Sequence, residues 1–216
     1  MEIKAIISDM DGSVISYPNK PYNSSWDAIS ESLLCNEEWI EMRDFYINQK
    51  DKYAEWFEKQ VEMLKGVSLE KATQVLFPIP YSIGAVAFFN SLDGNYVKGL
   101  VSSGINIVAE KVKEELNLDF QVSNYLEIKE GIFTGKGKEV VGLDSKLQVL
   151  VDVLEQQGIG LNETCFIGDN FNDVPVFEKV DLAVAYNPKT REVGKKADYV
   201  IYDFRELNKI LDKNGN

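Results

Sequence analysis

Short apolar runs alternating with stretches of helical periodicity constrain this chain more than any other feature, because repeated βα units and a parallel sheet require that alternation. The first run, Ile3 to Ser8, is nearly continuous in Ile3, Ala5, Ile6 and Ile7, which predicts a strand covered on both faces. After about residue 80 the alternation becomes regular. A strand is expected at Tyr96 to Val101, followed by a helix carrying Ile105, Val108, Ala109, Val112 and Leu116 on one face. A helix with Leu147, Leu150, Val151 and Leu154 leads into a strand at Thr164 to Ile167, and Leu182 to Ala185 and Tyr199 to Ile201 complete a sheet of about five strands. Phe120 to Gly137 alternates apolar and polar residues around Glu130-Gly131, which predicts a small hairpin outside the parallel sheet.

From Tyr17 to Phe77 no strand signal is clear, and Tyr53, Trp56, Phe57 and Leu64 recur at helical spacing. This predicts a helical insertion whose aromatic stripe packs a core. Proline-containing stretches at Pro18 to Pro21 and Pro78 to Pro80 flank it as hinges. The expected organisation is an α/β core of residues 1–16 and 81–216 with a helical cap at 17–80. Internal repeats and low-complexity segments are absent, and the polar end, Lys213 to Asn216, is expected to fray.

The formal charge of −12 repels nucleic-acid phosphates and anionic membranes, so neither is an expected partner. No apolar run reaches membrane-spanning length and the start of the chain lacks signal-peptide regions, which predicts a soluble, cytoplasmic protein. Cys35 and Cys165 form no CxxC and read as reduced packing residues; the N-x-[ST] sequences at Asn23 and Asn162 carry no meaning in that compartment. The chain has no histidine, which removes Ser-His-Asp and Cys-His nucleophiles, imidazole acid/base chemistry and most zinc sites. Catalysis must rest on carboxylates, lysine, hydroxyls, backbone amides or a cofactor, and an excess of carboxylates suits Mg²⁺.

Chemistry-bearing residues gather where strands are expected to end. Asp9-Met10-Asp11-Gly12-Ser13 closes the first run; side chains at i and i+2 share a face, so Asp9 and Asp11 can converge on one cation if the turn at Gly12 lets them. A solvated acidic turn is the alternative. Ser102-Ser103-Gly104 offers hydroxyls and free amides on the same rim, or an ordinary helix cap. Lys146 stands in the first turn of its helix, where a cation opposes the helix dipole by roughly 0.3–1 kcal/mol unless an anion lies near. Gly168-Asp169-Asn170-Phe171-Asn172-Asp173 adds a second acidic cluster.

In order and spacing these four pieces resemble the motifs of the haloacid dehalogenase superfamily of phosphohydrolases, most closely its phosphoserine phosphatase-like branch. Asp9-x-Asp11-Gly12-Ser13 matches the first motif, Ser102 the second, Lys146 the third and Gly168-Asp169-x-x-Asn172-Asp173 the fourth. Gly131-Ile132-Phe133-Thr134-Gly135 and the helical insertion are similar to that branch as well. The resemblance implies a Rossmann-like core and a phosphomonoesterase in which Asp9 is the nucleophile and Asp11 the acid/base. Mg²⁺ is then held by Asp9, the Asp11 carbonyl and Asp169 with support from Asp173, and phosphate is bound by Ser102, Ser103, Lys146 and Asn172. A small phosphorylated metabolite is the implied substrate. Phosphoserine phosphatases place a glutamate and an arginine where Ser24 and Gln60 align here, and neither carries the charge, so L-phosphoserine is not the expected main substrate; Arg43 could serve instead. A phosphotransferase or mutase would use the same aspartyl-phosphate, and a silent phosphometabolite-binding protein would keep the site without turnover. A receiver-type domain would be shorter and carry its phosphorylated aspartate on a later strand. Gly135-Lys136-Gly137 is neither GxGxxG nor a Walker A loop. The sequence assigns no oligomeric state or pathway.

Overall fold

A computed structural model of the chain describes residues 2–20, 22–33, 36–47, 49–92 and 94–214. Its strands are β1 (Ala5–Ser8), β2 (Val97–Ile105), β3 (Phe120–Lys129), β4 (Ile132–Lys138), β5 (Thr164–Gly168), β6 (Leu182–Tyr186) and β7 (Tyr199–Ile201). Among the described residues they form one sheet in the order β4-β3-β2-β1-β5-β6-β7, parallel except for β4. β1 lies at the centre, with Ala5 opposite Val97 on one side and Thr164 on the other, and its four residues are fully buried. That burial is why its sequence is a continuous apolar run rather than an alternating one. The strand order reverses on either side of β1, so the loop beyond its carboxyl end opens into the crevice where such sheets bind ligands.

Two expectations are corrected. The second strand runs on to Ile105, with an irregularity between Val101 and Ile105, and Ile105 caps α6 (Asn106–Glu115) in extended conformation. Ser102 and Ser103 therefore do not cap the helix; their polar groups are engaged elsewhere. Nor does β3 stand outside the sheet, because it pairs in parallel with β2 from Gly99–Phe120 to Ile105–Asn124, and only β4 is antiparallel. The sheet thus has seven strands rather than five. Glu130 and Gly131 both have positive φ, 51° and 75°, the backbone that a two-residue hairpin turn needs.

Between β1 and α5 (Ala85–Ser91) lie α1 (Ser25–Ser30), α2 (Glu37–Tyr46), α3 (Tyr53–Met63) and α4 (Leu69–Leu76). Segments before and after them are stitched together: Ser16 N donates to Pro80 O at 2.9 Å and Ser82 N to Val14 O at 2.9 Å. The helices also bond to the hairpin, through Gly66 N to Phe133 O and Leu69 N to Gly131 O. Of the aromatic stripe, Phe57 and Leu64 join the main core, whereas Tyr53 and Trp56 form a smaller cluster with Tyr46 and face a cavity. The remaining helices are α7 (Lys146–Gln156), α8 (Val174–Phe177), α9 (Arg191–Gly194) and α10 (Glu206–Asn214). α10 extends over Lys213 and Asn214; Pro21, Cys35, Gly215 and Asn216 lie outside the described residues. Cys165 is fully buried, and burial beside Asp198 pushes its thiol up to about 12, which leaves it unreactive. Among the described residues no helix is long and apolar enough to cross a membrane.

Candidate active site

Asp9 is the first residue past β1, where its N–H donates to Ile167 O of β5 at 2.8 Å. Its Oδ1 accepts from Met10 N at 2.8 Å, and Lys146 Nζ lies 3.3 Å from Oδ2. Gly12 has φ +86°, and a Cβ there would stand 2.2 Å from Asp169 Oδ2. The loops after β1 and β5 thus touch at a point where only glycine fits.

Asp169 and Asp173 follow β5. Asp173 Oδ2 accepts from Asp169 N and Asn170 N at 2.9 and 3.0 Å, closing its own loop, while Oδ1 accepts from Lys146 Nζ at 2.5 Å. Both carboxylate oxygens of Asp169 are buried without a hydrogen-bond partner among the described residues. Oxygens of Asp9, Asp169 and Asp173 lie within 4.8 Å of one another. Three buried carboxylates, one of them with both oxygens unsatisfied, fit a hard divalent cation.

The Asp11 side chain is not in that cluster; the resemblance assigns its carbonyl, not its carboxylate, to the cation. The Asp11 carboxylate oxygens accept instead from Ser25 N at 2.7 Å and Ser25 Oγ at 2.6 Å. Ser25 opens α1, so its backbone N–H is a free helix-end donor that the Asp11 side chain takes up. Sequence reasoning missed Ser25; the serine pair before an apolar periodic stretch was the available signal for a helix start.

Ser102 is buried and accepts from Gly104 N at 3.2 Å, and its hydroxyl acts to lower the pKa of Asp9. The Ser103 carbonyl is held by Trp26 Nε1 at 2.9 Å, Tyr53 Oη at 3.2 Å and Asn124 Nδ2 at 2.9 Å. Asn172 and Ser103 line the cavity above Asp9, so the four sequence motifs meet in one place.

Burial is the largest force on the carboxyls. It pushes Asp9 up, against the pull of Lys146, with Asp173 adding repulsion. Asp169 is driven well up by burial, then by Asp173 and Asp9. Asp11 rises to about 7, because burial outweighs its two hydrogen bonds from Ser25. For Lys146, burial acts to lower the pKa, but Asp173 and Asp9 outweigh it and keep the ammonium charged.

The cavity continues from Asp9 towards the helical insertion, where Trp39, Arg43, Trp56 and Gln60 form its far wall. Ser24 reaches that wall, but its hydroxyl caps α1 by accepting from Asp27 N at 3.1 Å. Gln60 is almost fully buried. Arg43 spends Nε and one terminal nitrogen on Asp44, at 3.0 and 2.8 Å, and faces buried Asp27 at 3.7 Å. Asp27 and Lys189 also line the cavity, and neither was anticipated from sequence.

The family model described as haloacid dehalogenase-like hydrolase matches residues 6–178. The phosphoserine phosphatase of Methanocaldococcus jannaschii is 30% identical over 210 residues, covering 96% of each chain. That of Streptococcus thermophilus is 28% identical over 193 residues, 88% of this chain and 89% of its own. A solved phospho-aspartyl intermediate analogue of phosphoserine phosphatase superposes with a TM-score of 0.80 at 29% identity, covering 97% of this chain and 99% of that one.

Proposed function

We propose that this chain, which belongs to the haloacid dehalogenase-like hydrolases and to their phosphoserine phosphatase-like branch, hydrolyses a small phosphomonoester through an aspartyl-phosphate on Asp9. That the chain is a phosphatase follows from its family and relatives; the roles of individual residues, the metal and the substrate are the proposal. The observation that carries it is the placement of Asp9, at the end of the central strand, 3.3 Å from the buried Lys146 ammonium.

An Asp9 oxygen attacks phosphorus as the bond to the leaving oxygen breaks, and Asp11 gives that oxygen its proton. A carboxyl with a pKa of about 7 holds that proton near neutrality, as a general acid must. The resulting Asp11 carboxylate then takes a proton from water, whose oxygen displaces Asp9 and releases inorganic phosphate. Ser102, Ser103, Lys146 and Asn172 bind the phosphoryl oxygens and stabilise charge as it moves. Asp9, the Asp11 carbonyl and Asp169 would hold Mg²⁺, with Asp173 supporting from the same loop. When bound, the cation neutralises carboxylate and phosphoryl charge.

The relatives' names point to phosphoserine, and the far wall argues against it as the main substrate. Ser24 and Gln60 are uncharged, and the Arg43 fork that would take a carboxylate is already on Asp44. Purified protein is expected to release phosphate from para-nitrophenyl phosphate with Mg²⁺ but not in EDTA, and Asp9→Asn to abolish turnover. A fully active Asp9→Asn protein would remove the nucleophile assignment. In a screen of phosphorylated metabolites, L-phosphoserine should fall well below the best substrate; if it ranks first, the argument from the far wall fails.

A further inference from the structure

The cavity wall carries four carboxylates, Asp9, Asp11, Asp27 and Asp169, against two cations, Arg43 and Lys189. A phosphomonoester dianion must enter past that charge. Lys146 is fully buried and pairs with Asp173 and Asp9 at the inner end of the site, and Arg43 pairs with Asp44 at the far wall. Lys189 is different. Its side chain is 28% exposed, its ammonium stands 3.8 Å from Asp169 Oδ2, and it donates one long hydrogen bond, 3.3 Å, to Tyr22 O. An ammonium has three donors, so Lys189 keeps capacity to spare.

Its position is fixed by backbone. The loop between β6 and α9 is anchored at Asn187, whose N–H donates to Ile201 O at 2.9 Å, and Pro188 stiffens the next step. Lys189 N then donates to Asp169 O at 2.9 Å, so the loop is bonded to the residue beside which its side chain lies. A solvated rim lysine would turn its ammonium to water. This one turns it back across the site, between Asp169 of the core and Tyr22 of the segment leading into α1.

We propose that Lys189 is an additional substrate-binding residue whose ammonium holds an oxyanion of the phosphomonoester, either on the transferring phosphoryl group or on the leaving group. The proposal rests on the phosphatase reading above. Lysine is suited to this task, since it acts as a point charge that follows a phosphate or carboxylate oxygen without imposing a fork geometry.

Binding of inorganic phosphate to the Mg²⁺-loaded protein, measured by calorimetry for wild type, Lys189→Met and Lys189→Arg, is the direct test. Loss of a charge-assisted hydrogen bond is expected to weaken phosphate binding by roughly ten- to a hundredfold in Lys189→Met. Lys189→Arg, which keeps the charge, is expected to recover most of it. That result places the oxyanion on the phosphoryl group. Unchanged phosphate affinity, with KM raised for phosphoglycerate but not for para-nitrophenyl phosphate at similar kcat, places it on the leaving group. Unchanged phosphate affinity and unchanged KM for both esters in Lys189→Met overturns the proposal while leaving the phosphatase reading intact. A wild-type protein that binds no phosphate and hydrolyses neither ester sinks both.

Discussion

Asp11 sits between opposing forces. Burial disfavours its charged form, while Ser25 donates two short hydrogen bonds that favour it, and the balance leaves a carboxyl that titrates at about 7. As the acid in the first step it must carry a proton, so kcat/KM should fall about tenfold per unit above pH 7. Asp11→Asn should flatten that limb and cost at least about a hundredfold in turnover. Ser25→Ala removes the hydroxyl donor and keeps the backbone one; the hydroxyl lowers the pKa, so the limb should move to higher pH in a pH–rate profile. A limb that stays in place in Ser25→Ala would mean that the hydroxyl hydrogen bond does not set the titration. The pairing itself was not legible beforehand: Asp11 was visible as a strand-end acid, but which group its carboxylate meets depends on how the chain from Pro18 to Ser24 returns, and no local pattern encodes that.

At the scale of elements, β3 carries a joint that no pattern announced. Asn124 is fully buried and uses both ends of its amide. Its Nδ2 donates to Ser103 O at 2.9 Å, Tyr53 Oη at 3.0 Å and Val141 O at 3.2 Å; its Oδ1 accepts from Val140 N and Val141 N at 2.8 and 2.9 Å. One side chain thus ties the irregular end of β2, helix α3 and the segment that leads to Lys146. Asn124→Leu would strand one buried and one part-buried backbone N–H, of Val141 and Val140, and should cost roughly 2–5 kcal/mol in urea unfolding. Tyr53→Phe removes a single hydroxyl and should cost about 1 kcal/mol. A loss below that for Asn124→Leu would show the joint to be dispensable. The same region explains what the sequence could tell. β1 and β5 were legible because strands buried on both faces need unbroken apolar runs. The place of β3 was not, since an alternating strand looks alike whether it pairs with β2 or stands apart as half of a hairpin. Trp56 and Tyr53 were ambiguous for a related reason: a cavity wall and a core demand the same apolar periodicity.

Over the whole molecule, an acidic chain of net charge −12 concentrates its least favourable charge in its own interior. Asp9, Asp11 and Asp169 all have folded-state pKa values raised above the ordinary carboxylate value, chiefly by burial. A raised carboxyl pKa means that the folded state binds protons more tightly than the unfolded one. Its stabilising contribution is therefore complete below the unfolded value and is lost as pH climbs; for Asp11 the window runs from 3.8 to about 7. Metal-free protein should accordingly lose thermal stability between about pH 4 and 7. General repulsion on an acidic surface would act in the same direction, so pH alone does not separate the two. Metal does. A divalent cation bound only by the folded state at a hundredfold over its Kd adds about 2.7 kcal/mol. For a chain of this size that corresponds to a rise in Tm of roughly 5–10 °C. Because the cation takes over the charge of Asp9 and Asp169, the gain should be larger at pH 7.5 than at pH 5.5, and the slope of Tm against pH should flatten. Thermal scans in EDTA and in Mg²⁺ at the two pH values decide it: equal Tm values with and without Mg²⁺ at pH 7.5 would mean that the buried triad is not a cation site, and a gain independent of pH would mean that the raised carboxyls are not its ligands.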